Sequence, residues 1–249
     1  NGNIIPGNYD WWKNGTKTGD IKDYKVSVTG GGNNSTYLLS ASYTDQAGYI
    51  INDLYKRTTV RANVGVDVKD WWNISVQSFA TFSDYSGEEP SLANIIRMPP
   101  LYEPYDADGN IIPNPSGNNN LGNPFKTYAI DDYNKGTLLF ANFSSDMKIP
   151  FVKGLSYKIN FGNNYSTGRH YNSYIYGAGE TGSAYKENSA RYDWTFDNIV
   201  TYKNKFASDH DFEATLLYGA TRRQSEGTLA LGTGFTNLTL SYNSLELAA

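Results

Sequence analysis

Between Thr58 and Val68 every second residue points to the same kind of neighbour. Val60, Ala62, Val64, Val66 and Val68 share one side, and Arg61, Asn63, Gly65 and Asp67 share the other. A period of two is the geometry of a strand with unlike faces, and no helix can hold such a pattern on one side. The same alternation sets Leu155, Tyr157, Ile159 and Phe161 against Ser156, Lys158, Asn160 and Gly162. It sets Thr137, Leu139, Ala141 and Phe143 against a mixed face that includes Asn142, Ser144, Asp146 and Lys148. Phe212, Ala214, Leu216 and Tyr218 oppose Asp211, Glu213, Thr215 and Gly219, with Leu217 interrupting the polar side. Extended over the chain, the pattern predicts eight strands near 23–29, 36–45, 57–68, 73–83, 136–148, 155–166, 190–204 and 209–222. Several exceed ten residues, which suits a tilted strand crossing a bilayer better than a soluble sandwich.

The connections sharpen this expectation. Gly30–Ser35, Lys69–Trp72, Pro150–Gly154 and Lys205–Asp209 read as short turns. Those near 46–56, 84–135, 167–189 and beyond 223 read as longer loops, in strict alternation with the short ones. Outer-membrane barrels have short turns at one end and long loops at the other, an order that Greek-key links rarely keep. Composition agrees: aromatics make up 15% of the 249 residues and charged residues 18%, so strand and turn formers dominate. A mean hydropathy of −0.55 and the lack of a long apolar run exclude a transmembrane helix and leave a barrel open. Tyr43, Trp71, Trp72, Phe151, Tyr165, Tyr192, Trp194 and Phe206 fall at strand ends, where interfacial girdles lie. In a soluble β domain the same rings would cap a core.

Charge and chemistry narrow the function. A net charge of −4 with dispersed basic residues gives no nucleic-acid footprint. The chain has no cysteine, hence no disulfide frame. His170 and His210 lie far apart, in an expected loop and turn, where solvated or hydrogen-bonding roles are the ordinary ones. Asp106, Asp108 and Asn110 have the look of a calcium loop, but the glycine comes early and no Glu completes the pattern, so an Asx turn is the better reading. Gly30-Gly31-Gly32 has no helix after it and cannot cradle phosphate. Glu88-Glu89 reads as a solvated start to the long loop. The sequence therefore predicts no enzyme, no catalytic residue, no metal and no cofactor.

The order of short motifs resembles a known family. Tyr37-Leu-Leu-Ser-Ala-Ser-Tyr43-Thr-Asp45-Gln46-Ala47-Gly48, then Tyr55-Lys56-Arg57, resembles a hallmark stretch of the SusC/RagA group of TonB-dependent outer-membrane transporters of Bacteroidetes-like bacteria. Gly48 is expected to turn the chain with a positive φ. Upstream, Asp10-Trp11-Trp12 and Tyr24-Lys-Val-Ser-Val-Thr-Gly30-Gly31 resemble the family's first barrel strands. Downstream, Arg97-Met98-Pro99-Pro100, Tyr105-Asp106-Ala107-Asp108-Gly109, Asn123-Pro124, Gly154-Leu155-Ser156-Tyr157, Phe196-Asp197-Asn198, His210-Asp211-Phe212 and Leu216-Leu217-Tyr218-Gly219 continue in order.

The resemblance covers nearly the whole chain. It implies residues 1–249 of an up-and-down antiparallel transmembrane β-barrel, eight strands of a 22-stranded wall, with plug domain and C-terminal strands outside it. It also implies import of an oligosaccharide or peptide cargo through the outer membrane, with a SusD-like surface lipoprotein as cap and TonB as energy source through parts not present. The opening NGNIIPGNYDWW and the closing SLELAA both read as cuts in a longer protein. Loop aromatics beside Asn and Asp suit sugar rings, which stack by their faces and bond at their edges. They make Tyr102, Tyr105, Tyr128, Tyr171, Tyr174 and Tyr176 the candidate cargo contacts; the alternative is that they pack the loops or meet the cap. Two other readings stay open: a small eight-stranded barrel with a structural or adhesive role, and a soluble carbohydrate-binding or hydrolytic β domain.

Overall fold

The computed structural model describes residues 8–118, 120–174, 181–206, 210–237 and 239–249. Eight antiparallel strands form one sheet in chain order: β1 (Asp20–Gly32), β2 (Ser35–Ala47), β3 (Leu54–Lys69), β4 (Trp72–Asp84), β5 (Asp131–Lys148), β6 (Leu155–Tyr174), β7 (Gly182–Phe206) and β8 (His210–Phe235). Each strand pairs with its sequence neighbours, as the up-and-down expectation requires, and β1 and β8 are the open edges. Two short helices, α1 (Trp11–Gly15) and α2 (Leu92–Arg97), lie outside the sheet. The Asp10-Trp11-Trp12 segment is thus a capped helix rather than strand: the Asp10 carboxylate accepts the Lys13 N–H at 2.9 Å.

Register carries the alternation from strand to strand. Val64 faces Tyr37 on β2 and Val76 on β4; Val76 faces Phe143, and Phe143 faces Phe161. Phe161 faces Phe196, which faces Ala220. One face is therefore a continuous apolar band. The opposite face carries ion pairs such as Lys158 with Asp146 at 3.2 Å, and Asp193 held by both Arg191 at 2.8 Å and Arg223 at 3.1 Å.

Curvature assigns the faces. On β5 and β6 the exposed residues at mid-strand are Leu139, Ala141, Phe143, Phe161 and Tyr165, all in the apolar band. Their polar-face neighbours Asn142, Asn160, Gly162 and Asn164 are half-buried. A curled sheet shields its concave side, so the apolar face is convex and the polar face lines the interior. Leu216 at 72% and Val26 at 70% exposure leave this band with no protein cover among the described residues. So large a contiguous apolar surface needs lipid against it. This is the wall of a transmembrane barrel.

The band runs diagonally. Along the row of cross-strand partners that begins at Tyr24 lie Tyr43, Thr58, Phe82, Thr137, Thr167, Ala190 and finally Glu226. On the outward side of β8 the continuous apolar run from Phe212 stops at Ala220, about 20 Å below Glu226 at strand rise. Such drift is the shear of tilted barrel strands.

Strand lengths depart from the sequence reading. β1, β2 and β4 have 13 residues and β3 has 16, whereas β6, β7 and β8 have 20, 25 and 26. A crossing needs about 9–11. The predicted loop at 167–189 is mostly strand, as is the chain from 223 to Phe235, because β6–β8 continue beyond the membrane. There both faces meet water and the hydropathy alternation that marks a strand disappears. The connection at 48–53 is also short, so among the described connections only 85–130 is long, and loop length separates the two ends less sharply than expected.

Two turn residues act differently from expectation. Gly48 is absent from the positive-φ glycines, and Asn52 takes the left-handed conformation at φ 67. Gly48 instead leaves room for the Asp53 side chain, whose carboxylate would have to move if a Cβ were present there. At the opposite end Gly154 has φ +86, and a Cβ would meet the Lys203 carbonyl that its own backbone approaches.

Candidate functional site

The 85–130 connection folds on a core of its own at the long-loop end. Trp11, Ile95, Met98, Leu121 and Phe125 are buried together, with Tyr9, Tyr102 and Tyr128 packed against them. Trp11 also donates its indole N–H to the Pro99 carbonyl at 3.1 Å. Asn123 is fully buried and gives its amide to the carbonyls of Pro104 (2.8 Å) and Ile112 (3.0 Å), while its oxygen accepts the Phe125 N–H. Burial, with the neighbouring Tyr105 and Glu103, pushes the Tyr9 phenol up to about 12; burial, Tyr105 and Tyr9 do the same for Tyr128.

Asp106 forms the expected Asx turn. Its carboxylate accepts the N–H groups of Asp108 at 2.9 Å and Asn110 at 2.8 Å, and Gly109 takes φ 83. Hydrogen bonds from Asn110, side chain first, hold that carboxyl below its usual range. Glu89 is not freely solvated: partial burial, then Asp53 and Glu88, raise its carboxyl.

A polar cluster ties this connection to the interior face of the wall. Asp132 on β5, with its side chain 3% exposed, accepts the Gly87 N–H at 3.0 Å. It also bonds His170 Nε2 at 2.9 Å and the Asn172 amide at 3.3 Å. The Tyr185 hydroxyl lies 3.2 Å from His170. Next to it the Asn134 N–H reaches Ser86 Oγ and the Tyr85 N–H reaches the Asn134 carbonyl. Deeper in the interior Arg61 lies 5.8 Å above the Phe79 ring, which stacks on Phe140 at 5.0 Å. These groups can bind by hydrogen bonds, charge and ring faces.

The predicted cargo tyrosines do not converge. Tyr102 and Tyr128 pack the connection's own core, which the alternative reading of these rings anticipated. Tyr105 stays on the surface of the connection, 38% exposed, bridged to Ile111. Tyr171 and Tyr174 are on β6 rather than in a loop, on opposite faces: Tyr174 shares the interior face with His170, and Tyr171 points outward. Tyr171 stacks on Tyr133 at 5.2 Å, donates to Asn188 Oδ1 at 2.7 Å, and lies under Lys186. Tyr176 lies outside the described residues.

Sequence reasoning missed Asp132, Asn172 and Tyr185. The only signal was a period-two continuation of polar residues through Arg169-His-Tyr-Asn-Ser-Tyr174, which lacks the apolar face that marks a strand.

Comparison with known proteins matches this architecture. No protein-family model matches the chain. TonB-dependent receptor P3 of Formosa agariphila is 28% identical over 97% of the chain. Two solved structures share the fold. The RagAB peptide transporter aligns at a TM-score of 0.77 and 20% identity over 94% of the chain, and the RagAB peptide importer in its closed-closed state at 0.76 and 19% over 92%. The chain spans about a quarter of these relatives: 25%, 28% and 27% of their lengths. With its eight-stranded up-and-down sheet, lipid-facing band and polar interior, the chain is a stretch of antiparallel β-barrel wall, similar in sequence to a TonB-dependent receptor and in fold to the RagAB transporter.

Proposed function

We propose that this wall serves TonB-dependent import of an oligosaccharide or peptide through the bacterial outer membrane. In this reading residues 1–249 form part of one barrel domain whose plug and remaining strands lie elsewhere in the protein. A SusD-like lipoprotein caps its long-loop end, TonB acts through the plug, and outer-membrane lipid surrounds the band. The observation that carries the reading is the division of the sheet into a lipid-facing apolar band and a polar interior wall, with a folded connection latched over the upper interior through Asp132. A wall built this way offers cargo hydrogen-bonding groups and ring faces without a reactive constellation.

The test is uptake by the native host. Deleting the parent gene should abolish growth on one class of glycan or peptide, and dissipating the proton gradient should stop uptake in the wild type. Unchanged uptake of every glycan and peptide tried, or uptake indifferent to the gradient, would rule the proposal out.

A further inference from the structure

The interior face of β1–β4 carries an uneven charge. Its charged side chains are three cations, Lys25, Arg57 and Arg61, and two carboxylates, Asp23 and Asp67. Asp23 accepts the Thr44 hydroxyl at 3.1 Å. Asp67 takes the Asn73 amide at 2.8 Å and lies about 20 Å down the strand from Arg61. All three cations are exposed, and none makes an ion pair among the described residues. On β6–β8, by contrast, Arg191 and Arg223 share Asp193, and Lys158 holds Asp146.

Register arranges the three cations. Lys25 stands in the row of Ser42, Thr59 and Thr81, with Arg57 one interior step above this row and Arg61 one step below. At the usual strand spacing and rise, the three Cα positions are about 12–13 Å from one another. Half-buried Ser42 lies within that triangle, and Thr59, bonded to Thr81 at 3.1 Å, lies on its edge. The Arg61 guanidinium rests 5.8 Å from the Phe79 ring, a partner that positions it and leaves its charge available. Carboxylates in the connections above do not neutralise the cluster. Glu89 is raised by burial, then by Asp53 and Glu88, with no cation to lower it. A concave wall with one excess sign of charge concentrates the opposite ion.

Position decides what meets this cluster. β3 starts at the end that carries the 85–130 connection, and Arg57 lies about 10 Å along the strand from that start. Its cross-strand partner Ser83 is next but one to the connection. A solute entering from that end therefore passes the three cations. β2, β3 and β4 are each paired on both sides, so this wall offers an extended peptide no free backbone edge. It offers short hydroxyls and cations instead.

We propose that Lys25, Arg57 and Arg61 form a lumenal site for an acidic oligosaccharide, one that carries carboxylate or sulfate groups on its sugars. The two guanidinium forks bind the anionic groups, Lys25 adds point charge, and Ser42, Thr59 and Thr81 bond ring hydroxyls. This rests on the import reading above and narrows its cargo to an anionic glycan.

The test is calorimetric binding to the full-length receptor in detergent. The probes are tetrasaccharides bearing uronate, sulfate or both, each beside its esterified or desulfated neutral counterpart, with tetraglutamate as the acidic peptide. At least one acidic tetrasaccharide should bind more tightly than its neutral counterpart and than tetraglutamate, and raising salt should weaken it. The uronate and sulfate arms show which anion is preferred. Arg57→Gln with Arg61→Gln should weaken that binding about tenfold or more. The doubly Lys-substituted receptor should keep most of it, and Arg169→Gln, opposite Lys135 on the outward face, should leave it unchanged. Heat-modifiable electrophoretic mobility confirms that each variant is folded. The proposal is overturned if no acidic tetrasaccharide outbinds its neutral counterpart, if tetraglutamate binds best, or if the double variant loses acidic and neutral ligands equally. Gradient-dependent uptake of a neutral cargo alone would sink this site and leave the import reading standing.

Discussion

Placing an arginine at Val64 tests the assignment of faces most directly. Val64 sits in the apolar band of β3 between Tyr37 and Val76, and Thr58 marks the upper rim on the same strand face. The strand rise puts Val64 about 20 Å below Thr58 along the strand. At a tilt of about 40° that is roughly 15 Å of depth, near the middle of an apolar band about 25 Å tall. A guanidinium there should destabilise the membrane-inserted barrel by about 2–4 kcal/mol, against about 0–1 kcal/mol for Thr58→Arg at the rim. Asn63→Arg, one residue away on the polar face, should cost little, because Arg61 already stands on that face.

The assay is the urea dependence of folding of the full-length receptor into lipid vesicles, with the folded fraction read from heat-modifiable mobility. The expected order of cost is Val64→Arg, then Thr58→Arg, then Asn63→Arg. If Asn63→Arg proved as costly as Val64→Arg, the polar face would be the one against lipid and the reasoning would be refuted.

Other perturbations address the loop and the turns. Trp11→Ala removes a side chain 3% exposed from the centre of the connection's core and should cost about 3–5 kcal/mol of local stability, seen as faster proteolysis within 85–130. Unchanged cleavage would mean that this core does not order the connection. Asp132→Asn should loosen the same segment by weakening the bonds to Gly87 and His170, with amide hydrogen exchange rising at Gly87 and Tyr85. Tyr9 and Tyr128 have phenols raised from 10.0 to about 12, so the folded connection holds more protons than the unfolded one between those values. Their stabilisation is therefore complete below pH 10 and lost as pH rises toward 12, which tyrosinate absorbance alongside proteolysis should record; loosening that began well below pH 10 would contradict it. Gly154→Ala must strain a backbone at φ +86 against the Lys203 carbonyl and should cost about 1–3 kcal/mol in the urea assay, more than the same change at exposed Gly109.

How much was legible depended on whether one side of a segment met lipid. Residues 58–68 and 155–161 announced strands because the bilayer forces every second side chain to be apolar. Above the membrane that force vanishes, so Arg169–Tyr174 and Ser183–Ser189 read as loop although the same ladder continues through them. The candidate site suffered for the same reason. Tyr102 and Tyr128 looked like binding rings because a loop's private core has no periodicity, and Tyr171 looked like a loop residue because its strand was invisible.

The sequence by itself determined the strand number, the up-and-down order and the composition of each face, since a period of two needs only local geometry. It could not say which face meets lipid, because alternation is symmetric; curvature decided that by leaving Leu139, Phe143 and Phe161 on the convex side. Nor could it bring Asp132 to His170 or set Lys135 opposite Arg169. Those neighbours are far apart in the chain and are fixed by register, which exists only once the whole sheet has formed.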